Sequence, residues 1–284
     1  MFDVQSDMKT CHFDMLETGA ANRLSYKLPR KNFLFVFLII AYNFGDKGNE
    51  HMNQDEKDEF LNAAQELFRT SFVENHLNNT LKLGRIERFN INPFLVPYLS
   101  QFAYGNKDPE SIAKVLLYPR VLGTSANTSF GNFIQKLCTK LKDTYPSSTS
   151  GMDIEFVDTF DGRKKYCQLK AGPETINKDD VDPIVRSFKS ARKLIRTNSG
   201  NVLPEDFIVG VCYGDRKSLS ANYKRIENEG YPIYIGKEFW RHLTGDDGFY
   251  QDLIDKLSDV ARCIDASAEL EQVLDKLTES IKNS

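Results

Sequence analysis

Two short segments of the chain carry polar residues that alternate with apolar ones and are suited to hydrolysis. In the first segment, Asp153 and Glu155 stand on either side of an isoleucine. In the second, Gln168 and Lys170 stand on either side of a leucine. Carboxylate oxygens beside a lysine suit a hard cation such as Mg²⁺, which binds phosphate oxygens and lowers the pKa of a water. The residue types indicate metal-assisted phosphodiester hydrolysis; a surface salt bridge on an exposed hairpin is the alternative.

A tight turn between the two segments would bring these residues together. The dipeptide Asp161-Gly162 is a strong hairpin signal, because both residues tolerate positive φ. A two-residue turn there places Asp153 opposite Lys170. The same register places Glu155 opposite Gln168. Directly opposed Cβ atoms lie about 5 Å apart, so the four polar side chains are expected to converge on one face.

A basic segment follows the second strand. Residues 186–196 (RSFKSARKLIR) contain no acid, and four cations are expected on one helical face: Arg186, Lys189, Lys193 and Arg196. Residues 163–225 hold 14 Lys+Arg against 7 Asp+Glu, so the net charge of −3 hides a basic block while excluding a uniformly basic coat protein. A solvated helix face is the alternative. Beside a hydrolytic site, the basic face favours contacts to DNA phosphates.

The run GMDIEFVDTFDGRKKYCQLKAG resembles the catalytic hairpin of the PD-(D/E)XK nuclease superfamily, and specifically of type II restriction endonucleases. With INPF, IVGVCYG and IGKEFW, it is similar in order and spacing to a group that recognises interrupted palindromes with GG and CC half-sites. The resemblance covers residues 91–240 in patches. It implies an α/β fold with a restriction-endonuclease-like core, whose central mixed sheet carries the catalytic hairpin and is flanked by helices.

The resemblance also implies roles for the four polar residues. Asp153 takes the position of the first Mg²⁺ ligand, and Lys170 that of the lysine that assists the nucleophilic water. The second acidic ligand is expected two residues before the lysine, where this chain has Gln168. Glutamine offers only a neutral carbonyl, so Glu155 is the candidate replacement carboxylate. Glu155 is also the candidate principal ligand if the hairpin carries a bulge, although we favour Asp153.

The implied activity is that of a Mg²⁺-dependent type II site-specific deoxyribonuclease that produces 5′-phosphate ends. Such an enzyme belongs to a restriction–modification system in the bacterial cytoplasm, without contact to a membrane, where a cognate DNA methyltransferase acts on the same site. A palindromic site predicts a homodimer on double-stranded DNA. Two alternatives stay open: a repair or recombination nuclease that recognises DNA structure, and a non-catalytic DNA-binding protein in which Gln168 marks a decayed site.

The elements that must position these residues follow from the spacing of apolar side chains. Helical periodicity predicts helices over residues 60–81 and 130–141, a short helix from Pro109 that stops at Pro119, and a helix that contains the basic segment. Residues 91–99 contain two prolines and are not expected to form a regular helix. The remaining predictions are a loop at 145–151, strands at 207–213 and 231–236, a short helix from 236, and one or two closing helices over 250–281.

The predicted organisation has three parts. Residues 1–51 include ten apolar residues at 33–42, too few to span a bilayer as a helix, and MNQDEKDEF from Met52 is typical of a protein start. We therefore expect residues 1–51 to be an upstream extension outside the fold. Residues 52–145 are a mainly helical part for DNA binding or dimerisation, and residues 146–284 are the catalytic core with C-terminal helices. The scattered cysteines and histidines argue against a disulfide framework or a zinc site.

Overall fold

The computed structural model describes residues 52–141, 143–198 and 200–284. The expected upstream extension, residues 1–51, lies outside the described residues. Within the described ranges, no helix combines the length and the apolar character that a bilayer crossing requires.

The centre of the protein is a mixed five-stranded sheet in the order β1-β2-β3-β4-β5. The strands β1 to β3 pair antiparallel, and β3, β4 and β5 pair parallel. Their bounds are Thr144–Pro146 (β1), Ile154–Val157 (β2), Lys164–Lys170 (β3), Phe207–Val211 (β4) and Ile233–Ile235 (β5). The α/β fold with a mixed sheet and a mainly helical N-terminal part is confirmed.

Helices precede, connect and follow the strands. In chain order they are Gln54–Leu67 (α1), Glu74–Leu81 (α2), Leu95–Tyr104 (α3), Pro109–Pro119 (α4), Ala126–Cys138 (α5), Lys178–Thr197 (α6), Ala221–Asn228 (α7), Lys237–Thr244 (α8), Phe249–Ala261 (α9) and Ser267–Lys282 (α10). The π-helical segment Phe68–Val73 joins α1 to α2, so the helix predicted over 60–81 is helical throughout. The predicted strands at 207–213 and 231–236 and the two closing helices are also confirmed.

Of the two expectations that rested on proline, the one for residues 91–99 is partly wrong, since only residues 95–99 are helical, and the one for Pro119 is wrong. Residues 91–99 do contain a helical segment, because Pro97 lies in the first turn of α3, where its missing N–H would have no helical partner. Pro119 does not stop the helix before it, since α4 includes Pro119 and continues through the π-helical segment Arg120–Ser125 into α5. At Pro97 the missing N–H costs no helical hydrogen bond, and after Pro119 the chain continues as a π-helical segment instead of ending.

The loop predicted at 145–151 is also partly wrong. Its first residues form β1, the edge strand, which pairs with β2 through Thr144↔Phe156 and Tyr145↔Glu155. The predicted boundary between residues 145 and 146 falls inside this strand. A three-residue strand that contains Pro146 carries too little alternation to be recognised from the sequence.

The sheet buries an apolar cluster on each face. On one face, Ile154, Phe156 and Cys167 pack against α1, α5, α8 and α9. On the other, Tyr166 and the odd-numbered residues of β4 pack against α6 and α7. A third cluster joins α4 to α10. Because both faces are covered, the polar residues that remain accessible are those at the strand ends.

Candidate active site at the start of β2 and the end of β3

The turn between β2 and β3 is longer than predicted. The Asp158 N–H donates to the Arg163 carbonyl (2.9 Å), and the Gly162 N–H donates to the Asp158 carbonyl (2.9 Å). Gly162 has φ of 65°, which suits glycine at this position. The turn therefore closes on the Asp158–Arg163 pair, and the two-residue turn at Asp161-Gly162 is wrong.

The longer turn shifts the pairing of the strands by two residues. Ile154 pairs with Cys167, and Glu155 pairs with Tyr166 rather than with Gln168. The predicted pair of Asp153 with Lys170 is absent from the register for the same reason. A shift of two preserves the alternation, so the expected burial of Ile154 and Cys167 is confirmed.

Buried charges hold the turn in this position. Asp158 is buried, and its Oδ2 lies 2.8 Å from Nδ1 of His242 in α8. Although burial opposes ionisation, the hydrogen bonds from His242 and the Phe160 N–H hold the pKa of Asp158 below its ordinary value. Lys165 is also buried and pairs with Asp161 (2.5 Å) and Asp206 (3.5 Å). His242 and Asp206 lie far from the hairpin in sequence, so the pattern of the hairpin alone does not reveal these two partners.

Asp153 lies directly beside the end of β3. Its N–H donates to the Cys167 carbonyl (2.9 Å), and its Oδ2 accepts the Leu169 N–H (2.7 Å). Leu169 stands between Gln168 and Lys170 in β3, so the Asp153 carboxylate contacts the backbone between these two residues. Within the described residues, Oδ1 of Asp153 makes no hydrogen bond. One oxygen is therefore fixed by the backbone, and the other is available to a ligand.

Glu155 is placed differently and is fully engaged. Its Oε1 accepts hydrogen bonds from Ser147 (2.7 Å) and Thr149 (3.1 Å), and its Oε2 pairs with Lys164 (2.5 Å). Burial favours the protonated acid, but Lys164 and Ser147 outweigh it and lower the pKa of Glu155. The carboxylate secures the β1–β2 connection to the start of β3, away from Lys170.

Gln168 is buried and tied to the segment before β2. Its Nε2 donates to the Gly151 carbonyl (2.6 Å). Gly151 has φ of 82°, and a Cβ there would lie 3.0 Å from Ser187 of α6. The Gln168 amide therefore fixes the backbone two residues before Asp153.

Lys170 is the last residue of β3, the central strand of the sheet, and its side chain is half-buried. It pairs with Val211 of β4, and its carbonyl accepts the Cys212 N–H (3.0 Å). No ion pair joins its ammonium group to the described part of the chain. The next glycine, Gly172, lies under the ring of Tyr213, which a Cβ would approach to 2.4 Å. The Tyr213 ring thus covers the backbone two residues after the lysine, and the sequence pattern did not single it out.

The structure holds the Asp153 carboxylate against the backbone between Gln168 and Lys170, whereas the Glu155 carboxylate binds Ser147, Thr149 and Lys164. The described residues contain no group of three or more acidic, histidine or cysteine side chains that would hold a metal. The available donors are the Asp153 carboxylate and the Gln168 amide oxygen. Both are hard oxygen ligands and fit Mg²⁺, which takes few protein ligands and keeps several waters.

The four predicted cations of α6 are all exposed, as the helical spacing indicates. Lys189 pairs with Glu229 (2.8 Å). An open groove of about 460 Å³ follows the helix, lined by Lys189, Arg192, Lys193, Arg196, Thr197 and Tyr231. Since α6 follows the end of β3 and leads back to the start of β4, which pairs parallel with β3, this groove lies at the end of the sheet where β3 and β4 begin. The end of the basic face at Arg196 lies about 20 Å from Lys170, measured along the length of β3.

Residues 69–265 match the family model described as type II restriction endonuclease EcoO109I. No curated protein matches the chain. The matched range includes both hairpin strands and the whole of α6, and it covers more than half of the 284 residues.

Proposed function

Because the chain belongs to the EcoO109I family of type II restriction endonucleases, we propose that it hydrolyses double-stranded DNA with Mg²⁺ and leaves 5′-phosphate ends. The family makes the chain a type II site-specific deoxyribonuclease. The observation that supports the chemistry is the contact of the Asp153 carboxylate with the Leu169 N–H, directly beside Lys170. This contact supports the proposal because it holds the Asp153 carboxylate against the end of the strand that carries Lys170.

Asp153 and Gln168 are the residues that would hold the Mg²⁺ ion. When bound, the ion polarises a phosphoryl oxygen and lowers the pKa of a water. The Leu169 N–H orients the Asp153 carboxylate, which leaves Oδ1 for the ion. Lys170 orients the attacking water and offsets the charge that develops on the phosphate. The water oxygen bonds to phosphorus and the bond to O3′ breaks, so the products are a 3′-hydroxyl and a 5′-phosphate.

The principal carboxylate in this proposal is Asp153 rather than Glu155. The Glu155 oxygens already accept hydrogen bonds from Ser147 and Thr149 and an ion pair from Lys164. Releasing them would leave the Lys164 ammonium without its partner. Asp153 has an oxygen to spare and lies closer to the lysine in the register.

We further propose the biological setting that the family suggests. The enzyme acts as a homodimer on an interrupted palindrome with GG and CC half-sites, because two symmetric active sites match two symmetric strands. It works in the bacterial cytoplasm within a restriction–modification system, whose DNA methyltransferase protects the same site without needing to bind the nuclease. The exposed face of α6 contacts the DNA backbone.

Plasmid cleavage tests the proposed function. We expect the wild-type protein with Mg²⁺ to produce discrete fragments whose sequenced ends share one palindromic site and carry 5′-phosphates. Asp153→Ala and Lys170→Ala should each reduce the rate at least about 100-fold, since each removes a group that acts in the transition state. The control Asp275→Ala changes an exposed carboxylate of α10 and should cut normally. Normal cutting by both active-site variants would refute the assignment.

A further inference from the structure

The helix α3 exposes a row of aromatic side chains. Phe94, which caps its N-terminus, is 88% exposed, Tyr98 is 59% exposed and Phe102 is 76% exposed. These residues are spaced four apart and therefore line one face of the helix. The opposite face is buried through Val96 and Ser100. The helix is thus packed on one side and presents a continuous aromatic stripe on the other.

The exposed stripe is an ordered surface. The side chain of Asn92 accepts the N–H groups of Phe94 (3.0 Å) and Leu95 (3.1 Å), so the first turn is capped. The rings of Tyr98 and Phe102 stack with centroids 5.8 Å apart. Gly105 ends the helix with φ of 73°. A helix fixed at both ends offers a preformed surface, which lowers the entropy lost on association.

The size of the stripe matches a protein interface. Aromatic side chains carry about 150–250 Å² each, so the exposed fractions of α3 amount to roughly 500 Å² of apolar surface. Monomeric proteins rarely expose a contiguous patch much larger than that without a function. Two copies of the stripe would bury about 1,000 Å², close to the lower limit of a specific interface before polar contacts at the rim are added.

The absence of charged residues on α3 indicates which kind of partner the helix binds. The helix sequence LVPYLSQFAY contains no charged residue. An isologous contact sets each patch against its own copy, so a charged patch would repel itself, whereas this one does not. A surface without cations is also a poor match for DNA phosphates. The aromatic composition is the one enriched at the cores of protein interfaces.

We infer that α3 forms the contact between two copies of this chain, with the aromatic stripes of Phe94, Tyr98 and Phe102 packed across a two-fold axis. This inference rests on the proposed function, which requires two active sites related by symmetry. It assigns the dimer contact to a helix outside the sheet, in a part of the protein whose core is formed by α4 and α10.

Sedimentation of the full-length protein tests the inference. The double variant Phe94→Asp/Phe102→Asp places four carboxylates in the symmetric contact and should raise the dimer Kd at least about 100-fold. The matched variant Phe94→Leu/Phe102→Leu keeps the surface apolar and should remain dimeric. Ile264→Asp adds the same charge at an exposed apolar residue outside α3 and should also remain dimeric. Circular dichroism checks that each variant is folded.

Two results would overturn the inference: a monomeric wild-type protein at micromolar concentration, or a folded aspartate variant that dimerises as tightly as the wild type. Parallel plasmid assays separate this from the proposed function. A wild-type dimer that depends on α3 but never cuts DNA would reject the nuclease proposal alone. A wild-type enzyme that cuts DNA and a folded aspartate variant that stays dimeric would reject the α3 contact alone.

Discussion

The amide of Gln168 makes a contact that a carboxylate cannot make. Its Nε2 donates to the Gly151 carbonyl (2.6 Å), whereas an ionised carboxylate only accepts hydrogen bonds. The glutamine therefore stabilises the backbone that leads to Asp153. Because glutamine is neutral, the proposed metal site has one negative charge fewer than it would have with an acidic residue at position 168. At this position the chain has a structural hydrogen bond instead of the acidic metal ligand that the resemblance to the nuclease superfamily implies.

We predict that Gln168→Glu lowers the stability of the protein and raises its affinity for Mg²⁺. Without Mg²⁺, the new carboxylate would face the Gly151 carbonyl, and the free energy of unfolding should fall by about 1–3 kcal/mol. With Mg²⁺, the added charge should lower the half-saturating concentration for cleavage by about tenfold. Urea unfolding measures the first effect, and a Mg²⁺ titration of cleavage measures the second.

Gln168→Met is the control for this exchange, because it removes the donor without adding charge. It should lose stability and gain no Mg²⁺ affinity. If Gln168→Glu is as stable as the wild type and responds to Mg²⁺ identically, neither the hydrogen bond nor the charge has the role assigned to it.

At the scale of elements, charged contacts near the turn fix how β2 pairs with β3. Arg163 donates to Asp206 at the start of β4, with Nε 2.7 Å from Oδ1, and the buried Lys165 approaches the same carboxylate. Burial would raise the pKa of Asp206, but the bonds from Arg163 and the Leu203 N–H outweigh it and lower that pKa. The hairpin is therefore anchored to β4 by a pair that is charged in the folded state.

We predict that Asp206→Asn destabilises the protein by about 3 kcal/mol at neutral pH, because it leaves the buried Lys165 and Arg163 short of a counter-charge. The pKa of Asp206 is depressed on folding, so its contribution is present above the unfolded value of about 3.9 and is lost as the pH falls through the folded pKa. The difference between variant and wild type should therefore shrink below about pH 4. Urea unfolding from pH 7 to pH 3 measures it.

Glu205→Gln changes the neighbouring exposed carboxylate and should leave the unfolding free energy unchanged within about 0.5 kcal/mol. A loss from Asp206→Asn that does not change with pH would show that the ionised carboxylate is not the source of the stability.

The faces of the hairpin were predictable from the sequence, and its register was not. Alternation assigns Ile154 and Cys167 to the core, and that assignment survives a shift of two residues. The length of the turn depends on contacts of Asp158 with His242 and of Lys165 with Asp206, which no local pattern contains. The predicted convergence of Glu155 on Gln168 fails for this reason. Asp153 still reaches the end of β3 because its side chain bonds to the backbone.

At the scale of the whole molecule, positive charge and the proposed cutting site are offset from each other. The basic face of α6 runs along the helix from Arg186 to Arg196, and Lys193 and Arg196 line the groove near its C-terminal end. The Arg192 side chain beside them keeps a buried Nε that has no hydrogen-bond partner among the residues that the structure describes. Cations this far from the scissile bond can add affinity without touching the reacting phosphate.

We predict that Lys193→Gln/Arg196→Gln weakens DNA binding and reduces the dependence of log K on log salt by up to about 2, because each cation that neutralises a DNA phosphate adds about one to that slope. The cleavage rate at saturating protein should be unchanged, because neither residue lies at the end of β3 that carries Lys170. Fluorescence anisotropy with labelled DNA at several salt concentrations measures the slope.

Lys276→Gln/Lys282→Gln removes two exposed cations from α10 and is the matched control. It should leave the salt slope unchanged. An equal loss of affinity in both double variants would show that net charge, rather than the face of α6, governs binding.

The single tryptophan of the chain gives the proposed site an intrinsic optical probe. Trp240 is buried, and its Nε1–H donates to the Cys212 carbonyl (2.9 Å). The Cys212 N–H in turn donates to the carbonyl of Lys170 (3.0 Å). The backbone of a single residue, Cys212, thus links the indole to the backbone of the lysine, so its emission spectrum can follow ion and DNA binding in the unlabelled protein.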